Sequence, residues 1–329
     1  MKLFITLSVV FGVVLLLCAL GLFASYATYR MTFMRRRKEY DPFFGLDAPY
    51  YHGKGDVCRK MIESLCDIPY ESVSITSSDG LLLVGRFYRG EDGAPLEIAC
   101  HGYKSHPCRD FSGGAVEAIA SGRSVLLIHQ RAHNESEGRS ISFGINESDD
   151  VRRWISWGIN RLGEDVRILL TGISMGAATV IMAAGKPQPK NLRCVIADCP
   201  YSSSKDIICR VAKGMGYPPK LVYPFIRLGA KLFGGFDPDS DSPEMAIRSS
   251  TLPILIIHGE EDEFVPAYMS ERIRAARPEG TVRVLFPRAD HGMSYIVDRE
   301  GYMGAVSEFL KTHLYRDIPA EGEENSEIK

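Results

Sequence analysis

Hydrophobic positions along this chain follow three regimes. From Leu3 to Tyr29 they form a nearly charge-free run, LFITLSVVFGVVLLLCALGLFASYATY, long enough for one helix across a bilayer's hydrocarbon layer. From residue 71 onward, short apolar runs of strand length alternate with stretches of helical period. Between about 201 and 251 that alternation lapses into helical segments and turn clusters such as GYPP and GGFDPDSDSP.

The middle regime sets the fold class. SVSITSSDGLLLVGRFYR reads as two strands around Asp79-Gly80, a strong hairpin signal between β-rich runs. PLEIACHG, SVLLIHQ, RILLTGIS, LRCVIADCP, PILIIHGEED and VRVLFP follow as buried strands. Helix-like segments separate most of them, ending with SYIVDREGYMGAVSEFLKTHL. Buried strands alternating with amphipathic helices predict an α/β architecture: a mostly parallel sheet with helices on both faces, made mixed by the opening hairpin. The expected organisation is an N-terminal membrane anchor over 1–34 and a linker with a lead-in helix over 35–70. The α/β domain then covers 71–317, with a small helical cap inserted at about 201–251. An acidic tail over 318–329 has a composition expected to be disordered.

The flanks of the apolar run decide how it is read. Arg30, Arg35, Arg36, Arg37 and Lys38 follow it, whereas only Lys2 and the α-amino group precede it. A cleaved signal peptide has its basic residues in front of a shorter apolar core, and LLLC around Cys18 lacks the small residues of a lipoprotein signal. An uncleaved single-pass anchor fits, with Tyr26 and Tyr29 at an interfacial position and the following domain on the cytoplasmic side.

Composition narrows the function classes. The 39 basic and 41 acidic side chains give a net charge of -2, which argues against a nucleic-acid binder. The eight cysteines show no metal-binding spacing. An odd number outside the apolar run favours reduced thiols, although Cys58 with Cys66, or Cys199 with Cys209, are spaced so that they could pair.

The sharpest motif is Gly172-Ile173-Ser174-Met175-Gly176. G-x-S-x-G alone arises by chance in about one chain in ten of this length. Here it follows a strand and opens a helix, the context of a nucleophile elbow. A serine hydroxyl needs a base, and the base needs an orienting carboxylate. Asp262, after PILIIHG, and His291, after VRVLFP, supply both in the order Ser, Asp, His and at strand ends. Asp198, ending LRCVIAD, is the alternative acid. Glu260, Glu261 and Glu263 read as solvated, His101 and His258 as loop supports, and Cys100 as core. The expected oxyanion donors are the backbone N–H groups of Met175 and of Tyr103, the latter in the loop after PLEIACHG. The Tyr103 side chain would then face the acyl pocket.

Together these residues resemble the α/β-hydrolase superfamily. Within it they are similar to bacterial membrane-anchored serine hydrolases of the esterase/lysophospholipase-like and serine-aminopeptidase-like branch. The resemblance covers roughly residues 70 to 313 and rests on HGYKSHP, GISMGAAT, HGEEDEFVP and ADHG. QRAHNESEGRSISFG resembles the branch's D-x-R-G-H-G-x-S-x-G loop, with Ala132 and Asn134 where glycines are common. The resemblance implies cofactor-free hydrolysis of a carboxylic ester, thioester or amide, acting on a small-molecule or lipid-like acyl substrate. Two rival readings remain. One is an aminopeptidase-like amide hydrolase on the same residues, with DPDSDSPE binding a free amine. The other is a non-catalytic binding protein that kept the fold. Oligomeric state is open.

Overall fold

The computed structural model describes residues 1–35, 41–48, 51 and 53–315. The expected acidic tail and Arg36 to Lys38 of the basic cluster lie outside the described residues.

Eight strands form one sheet: β1 (Glu71–Thr76), β2 (Leu82–Tyr88), β3 (Leu96–Cys100), β4 (Ser124–Ile128), β5 (Ile168–Ile173), β6 (Leu192–Asp198), β7 (Ile254–Gly259) and β8 (Thr281–Phe286). Their order is β1-β2-β4-β3-β5-β6-β7-β8. β1 and β2 pair antiparallel, as do β2 and β4; every later pairing is parallel. The hairpin turns at Ser77–Gly80. There Ser77 Oγ donates to Asp79 Oδ1 at 2.6 Å and accepts from Leu81 N at 2.8 Å, and Gly80 takes a left-handed φ of 86°.

β3 and β4 are buried at every position, because helices cover both faces. Alternate side chains enter opposite layers, as the strand period requires. Leu126 and Leu170 join Trp154, Val180, Ile181 and Ile273 on one face. Leu127 meets Phe111, Ala115 and Ala118 on the other, where Leu169 packs with Val306, Phe309 and Leu310. All eight cysteines are unpaired thiols.

Between β6 and β7 lie helices Ser204–Gly214 and Pro219–Gly229, a π-helical turn Ala230–Gly234 and a short helix Pro243–Ala246. The N-terminal helix runs Lys2–Thr32 and is long and apolar enough to cross a membrane. Its first two-thirds are exposed, but its end is built into the domain. Ser25, Tyr29 and Phe33 are buried. Tyr29 and Phe33 pack with Phe143, Tyr223, Ile226 and Phe236, and Met34 bridges Ser140. At the crossing with Pro219–Gly229, a Cβ on Gly229 would lie 2.2 Å from the carbonyl oxygen of Ser25, so only glycine lets the two backbones approach this closely.

Candidate active site

The turn from β5 into helix Met175–Ala184 holds Ser174 at φ 55° and ψ -115°. This region is costly for a non-glycine residue and is typical of functional sites. The turn is too tight for side chains on either flank. A Cβ at Gly172 would meet the Gly176 carbonyl oxygen at 2.2 Å, and one at Gly176 would meet the Cys100 carbonyl oxygen at 1.8 Å. Ser174 N donates to the Asp198 carbonyl at 2.8 Å, tying the turn to β6.

The structure brings Ser174, His291 and Asp262 together. Ser174 Oγ donates to His291 Nε2 at 2.9 Å, and His291 Nδ1 donates to Asp262 Oδ2 at 2.7 Å. Asp262 Oδ1 also accepts from the backbone N–H groups of Phe264 at 3.0 Å and Val265 at 2.7 Å. Burial favours the neutral acid, but hydrogen bonds and charge from His258 and His291 win and hold the Asp262 carboxyl at about 2. For His291 burial favours the neutral ring, yet the hydrogen bond and charge of Asp262, with Asp198 and Asp110 beyond, leave it raised above its ordinary value. The Phe264 ring packs on the imidazole at 5.1 Å.

The rival acid Asp198 does not reach His291 Nδ1, which Asp262 already occupies. Burial pushes its carboxyl up to about 6, against the pull of His258, Tyr302 and His291. Glu260, Glu261 and Glu263 are exposed, and Cys100 is core. Cys199 Sγ lies 4.0 Å from His291 Nε2. Cys199, Asp262 and His291 offer ligand atoms within 4.8 Å of one another, but those of Asp262 and His291 are engaged with each other and with Ser174. Burial drives the Cys199 thiol well above its ordinary value, so it is a neutral neighbour.

The loop after β3 runs directly over the serine: a Cβ at Gly102 would sit 3.5 Å from Ser174 Cβ. Asp110 pins this loop, accepting from Gly102 N and from Ser105 Oγ at 2.6 Å each, and Lys104 N donates to His133 Nε2 at 3.0 Å. Tyr103, the next residue, and Met175, the first of the helix, thus have their backbones beside Ser174. Helix-opening N–H groups have no carbonyl partner within their own helix. The Tyr103 ring packs on Phe143 at 5.1 Å.

Two cavities meet at Ser174. The smaller, about 330 Å³, has a mixed lining, with Tyr51, Arg109, Asp110 and His291 beside apolar groups such as Leu46, Ile62 and Met293. The larger, about 950 Å³, is mainly apolar and lies between the cap, Phe143, Tyr201 and residues Thr28 to Arg35 at the end of the N-terminal helix.

Sequence reasoning gave one contributor only as a loop support and missed two. His258 Nε2 lies 2.7 Å from the Val265 carbonyl oxygen and 3.2 Å from Asp262 Oδ2, so it braces the acid loop itself. Asp110 was hinted at by its place at the end of HGYKSHPCRD. The helix end in the larger cavity left no local signal.

No family model matches the chain. The uncharacterized protein YqkD of Bacillus subtilis is 27% identical over 251 residues, 76% of this chain and 82% of its own. Among solved structures, the Pyrococcus furiosus esterase Pf2001 superposes with a TM-score of 0.62 at 26% identity, covering 77% of this chain and 94% of that one. The Pyrococcus horikoshii acylaminoacyl peptidase superposes with a TM-score of 0.55 at 18% identity, covering 81% of this chain and 44% of that one; at that identity the likeness speaks for the fold alone. The protein has the α/β-hydrolase fold, with an eight-stranded mostly parallel sheet, and its neighbours support a hydrolase.

Proposed function

We propose that this chain is a membrane-anchored serine hydrolase that cleaves a carboxylic ester or thioester through Ser174, His291 and Asp262. The observation that carries the reading is the unbroken line of hydrogen bonds from Ser174 Oγ through His291 to Asp262. In this mechanism Ser174 Oγ attacks the substrate carbonyl while His291 Nε2 takes its proton. The tetrahedral oxyanion is held by the Tyr103 and Met175 N–H groups. His291 then gives its proton to the leaving alcohol or thiol, an acyl-enzyme forms, and a water activated by the same imidazole releases the acid. Asp262 keeps Nδ1 protonated and balances the imidazolium. These steps need no cofactor.

The likeness to an esterase at 26% identity supports ester chemistry. The aminopeptidase-like reading needs cap carboxylates that can receive a free amine. Three of the four carboxylates of DPDSDSPE are taken: Asp237 by Arg227 and Lys231, Asp239 by Arg227 and the Tyr223 hydroxyl, and Glu244 by Arg272. We take the apolar helix as the anchor, with the basic cluster behind it placing the domain on the cytoplasmic side. Protease shaving of intact cells tests that side; digestion of the domain from outside would reverse it.

The deciding experiment is fluorophosphonate labelling of the full-length protein in detergent, beside Ser174→Ala. Labelling of wild type alone supports the reading. Absence of labelling in a folded wild type favours a binding protein, and labelling of both would mean the nucleophile is another serine.

A further inference from the structure

The larger cavity has an unusual wall. Met31 and Met34, at the end of the apolar helix, line it together with Ile208, Val211, Val222 and Ile226 of the cap. It reaches Ser174 past Tyr103 and Met175, the groups that would surround a bound acyl carbon. Its volume of about 950 Å³ lies near the top of the range of roughly 300–1,000 Å³ usual for small-molecule pockets.

The helix also fixes where this cavity sits. Thirty-one residues make a rod of about 46 Å at 1.5 Å per residue, against about 30 Å of hydrocarbon. The last ten or so residues therefore emerge at the interface, and these are the ones that meet the cap. The cap turns an apolar edge to the same level: Leu221, Phe225, Leu228, Leu232 and Phe233 are exposed. The Phe225 ring lies 3.8 Å from where a Cβ on Gly21 would be, and the Phe233 ring is 5.1 Å from that of Tyr26. Arg30 and Arg35 line the cavity at this end, where positive charge suits lipid headgroups.

We propose that this cavity is an acyl-chain chamber whose wall is completed by the membrane helix, and that the substrate is a long-chain acyl ester or thioester amphiphile entering from the bilayer. The inference rests on the serine-hydrolase reading for the chemistry and on the membrane-anchor reading for the route of entry, but on neither for the cavity itself. The acyl tail leaves the hydrocarbon layer beside Met31, passes between the helix end and the cap, and brings its carbonyl to Ser174. The smaller cavity at Ser174, whose mixed wall carries Arg109 and Asp110, receives the leaving group. A methylene entering from water favours the longer chain by about fourfold, from the transfer energy of a CH₂ group, whereas one entering from the bilayer leaves an environment just as apolar, so selection there is set by how far the chamber extends.

The test uses full-length protein in nanodiscs of phosphatidylcholine and phosphatidylglycerol. A sixteen-carbon acyl ester with a diazirine at the chain end is photolysed in the Ser174→Ala protein, and cross-linked peptides are mapped. Hydrolysis of p-nitrophenyl esters from acetate to palmitate is read for wild type, Met31→Trp and Val222→Trp, with melting curves to establish folding. The expected result is cross-linking to the 28–35 and 204–229 segments. Wild type should prefer long chains by tenfold or more, and at least one tryptophan variant should move the optimum to shorter chains. Cross-links elsewhere, or a flat chain-length profile with fluorophosphonate labelling intact, would overturn the chamber while leaving the serine hydrolase standing. Cross-links in the chamber with equal turnover by Ser174→Ala would support the chamber and sink the catalytic reading.

Discussion

The Tyr103 hydroxyl donates a 2.7 Å hydrogen bond to the carbonyl oxygen of Thr32. One end of this residue is the backbone beside Ser174; the other holds the last turn of the apolar helix. A helix end has carbonyls with no partner inside the helix, and here one of them is satisfied by the residue next to the candidate nucleophile.

Replacing members of the Ser-His-Asp line tests the chemistry. Ser174→Ala and His291→Ala should each lower kcat/KM by about 10⁴-fold or more, and Asp262→Asn by roughly 10³- to 10⁴-fold through the wrong imidazole tautomer. Steady-state ester hydrolysis by the purified variants reads this. Turnover within tenfold of wild type in any of the three would break the assignment.

The pH profile follows from the same groups. His291 must be neutral to accept the serine proton, and its acid form is stabilised by Asp262, so its value lies above the ordinary 6.5. Asp262, held at about 2, stays ionised throughout. The kcat/KM profile, which reports the free enzyme, should therefore rise with pH through a single limb centred above 6.5. A limb centred below 6 would show that Asp262 does not act on His291 in solution.

Phe33 is fully buried, with ring contacts at 5.6 Å to Phe143 and 5.2 Å to Phe236. Phe33→Ala should cost about 3–5 kcal/mol, whereas Phe23→Ala, on the exposed part of the same helix, should leave folding stability nearly unchanged. Melting of full-length protein in one detergent compares them. Equal melting points would mean that the helix end is not packed into the domain.

Ala132 and Asn134, standing where related loops have glycine, both adopt left-handed backbone, at φ 60° and 43°. Asparagine tolerates this region and alanine does so at a cost of about 1–2 kcal/mol. In Ala132→Gly, relief of that strain opposes the lost methyl and the freer unfolded chain, so stability should stay within about 1 kcal/mol. Ala132→Val adds β-branching at a positive φ and volume to a buried site, and should cost about 3 kcal/mol or more. Denaturant titration distinguishes the two; a harmless valine would contradict the backbone geometry.

What was legible in the sequence is what local pattern encodes. Strand runs such as SVLLI and RILLT identify themselves because burial on both faces demands continuous apolar residues. Ser174, Asp262 and His291 stand out as candidates because each follows such a run, and a parallel sheet sets those ends side by side. His258 reads from the sequence only as a loop support, since the closeness of its Nε2 to Asp262 Oδ2 depends on how the loop after β7 folds back. Phe33 and Met31 looked like the tail of an apolar span; nothing near them says that their partners are Phe143, Phe236 and the cap. Those contacts are tertiary, and periodicity is blind to them.

The bond between Tyr29 and Ser140 joins positions 111 residues apart, and the glycine against Ser25 is farther along still. Translation exposes this helix before the strands that follow it, and domains fold as their residues emerge. Tyr29 and Phe33 therefore wait without their partners until Gly229 and Phe236 have been synthesised. A segment made before its partners is thus among the last to be completed, and the pocket beside Ser174 closes only after most of the sheet has been translated.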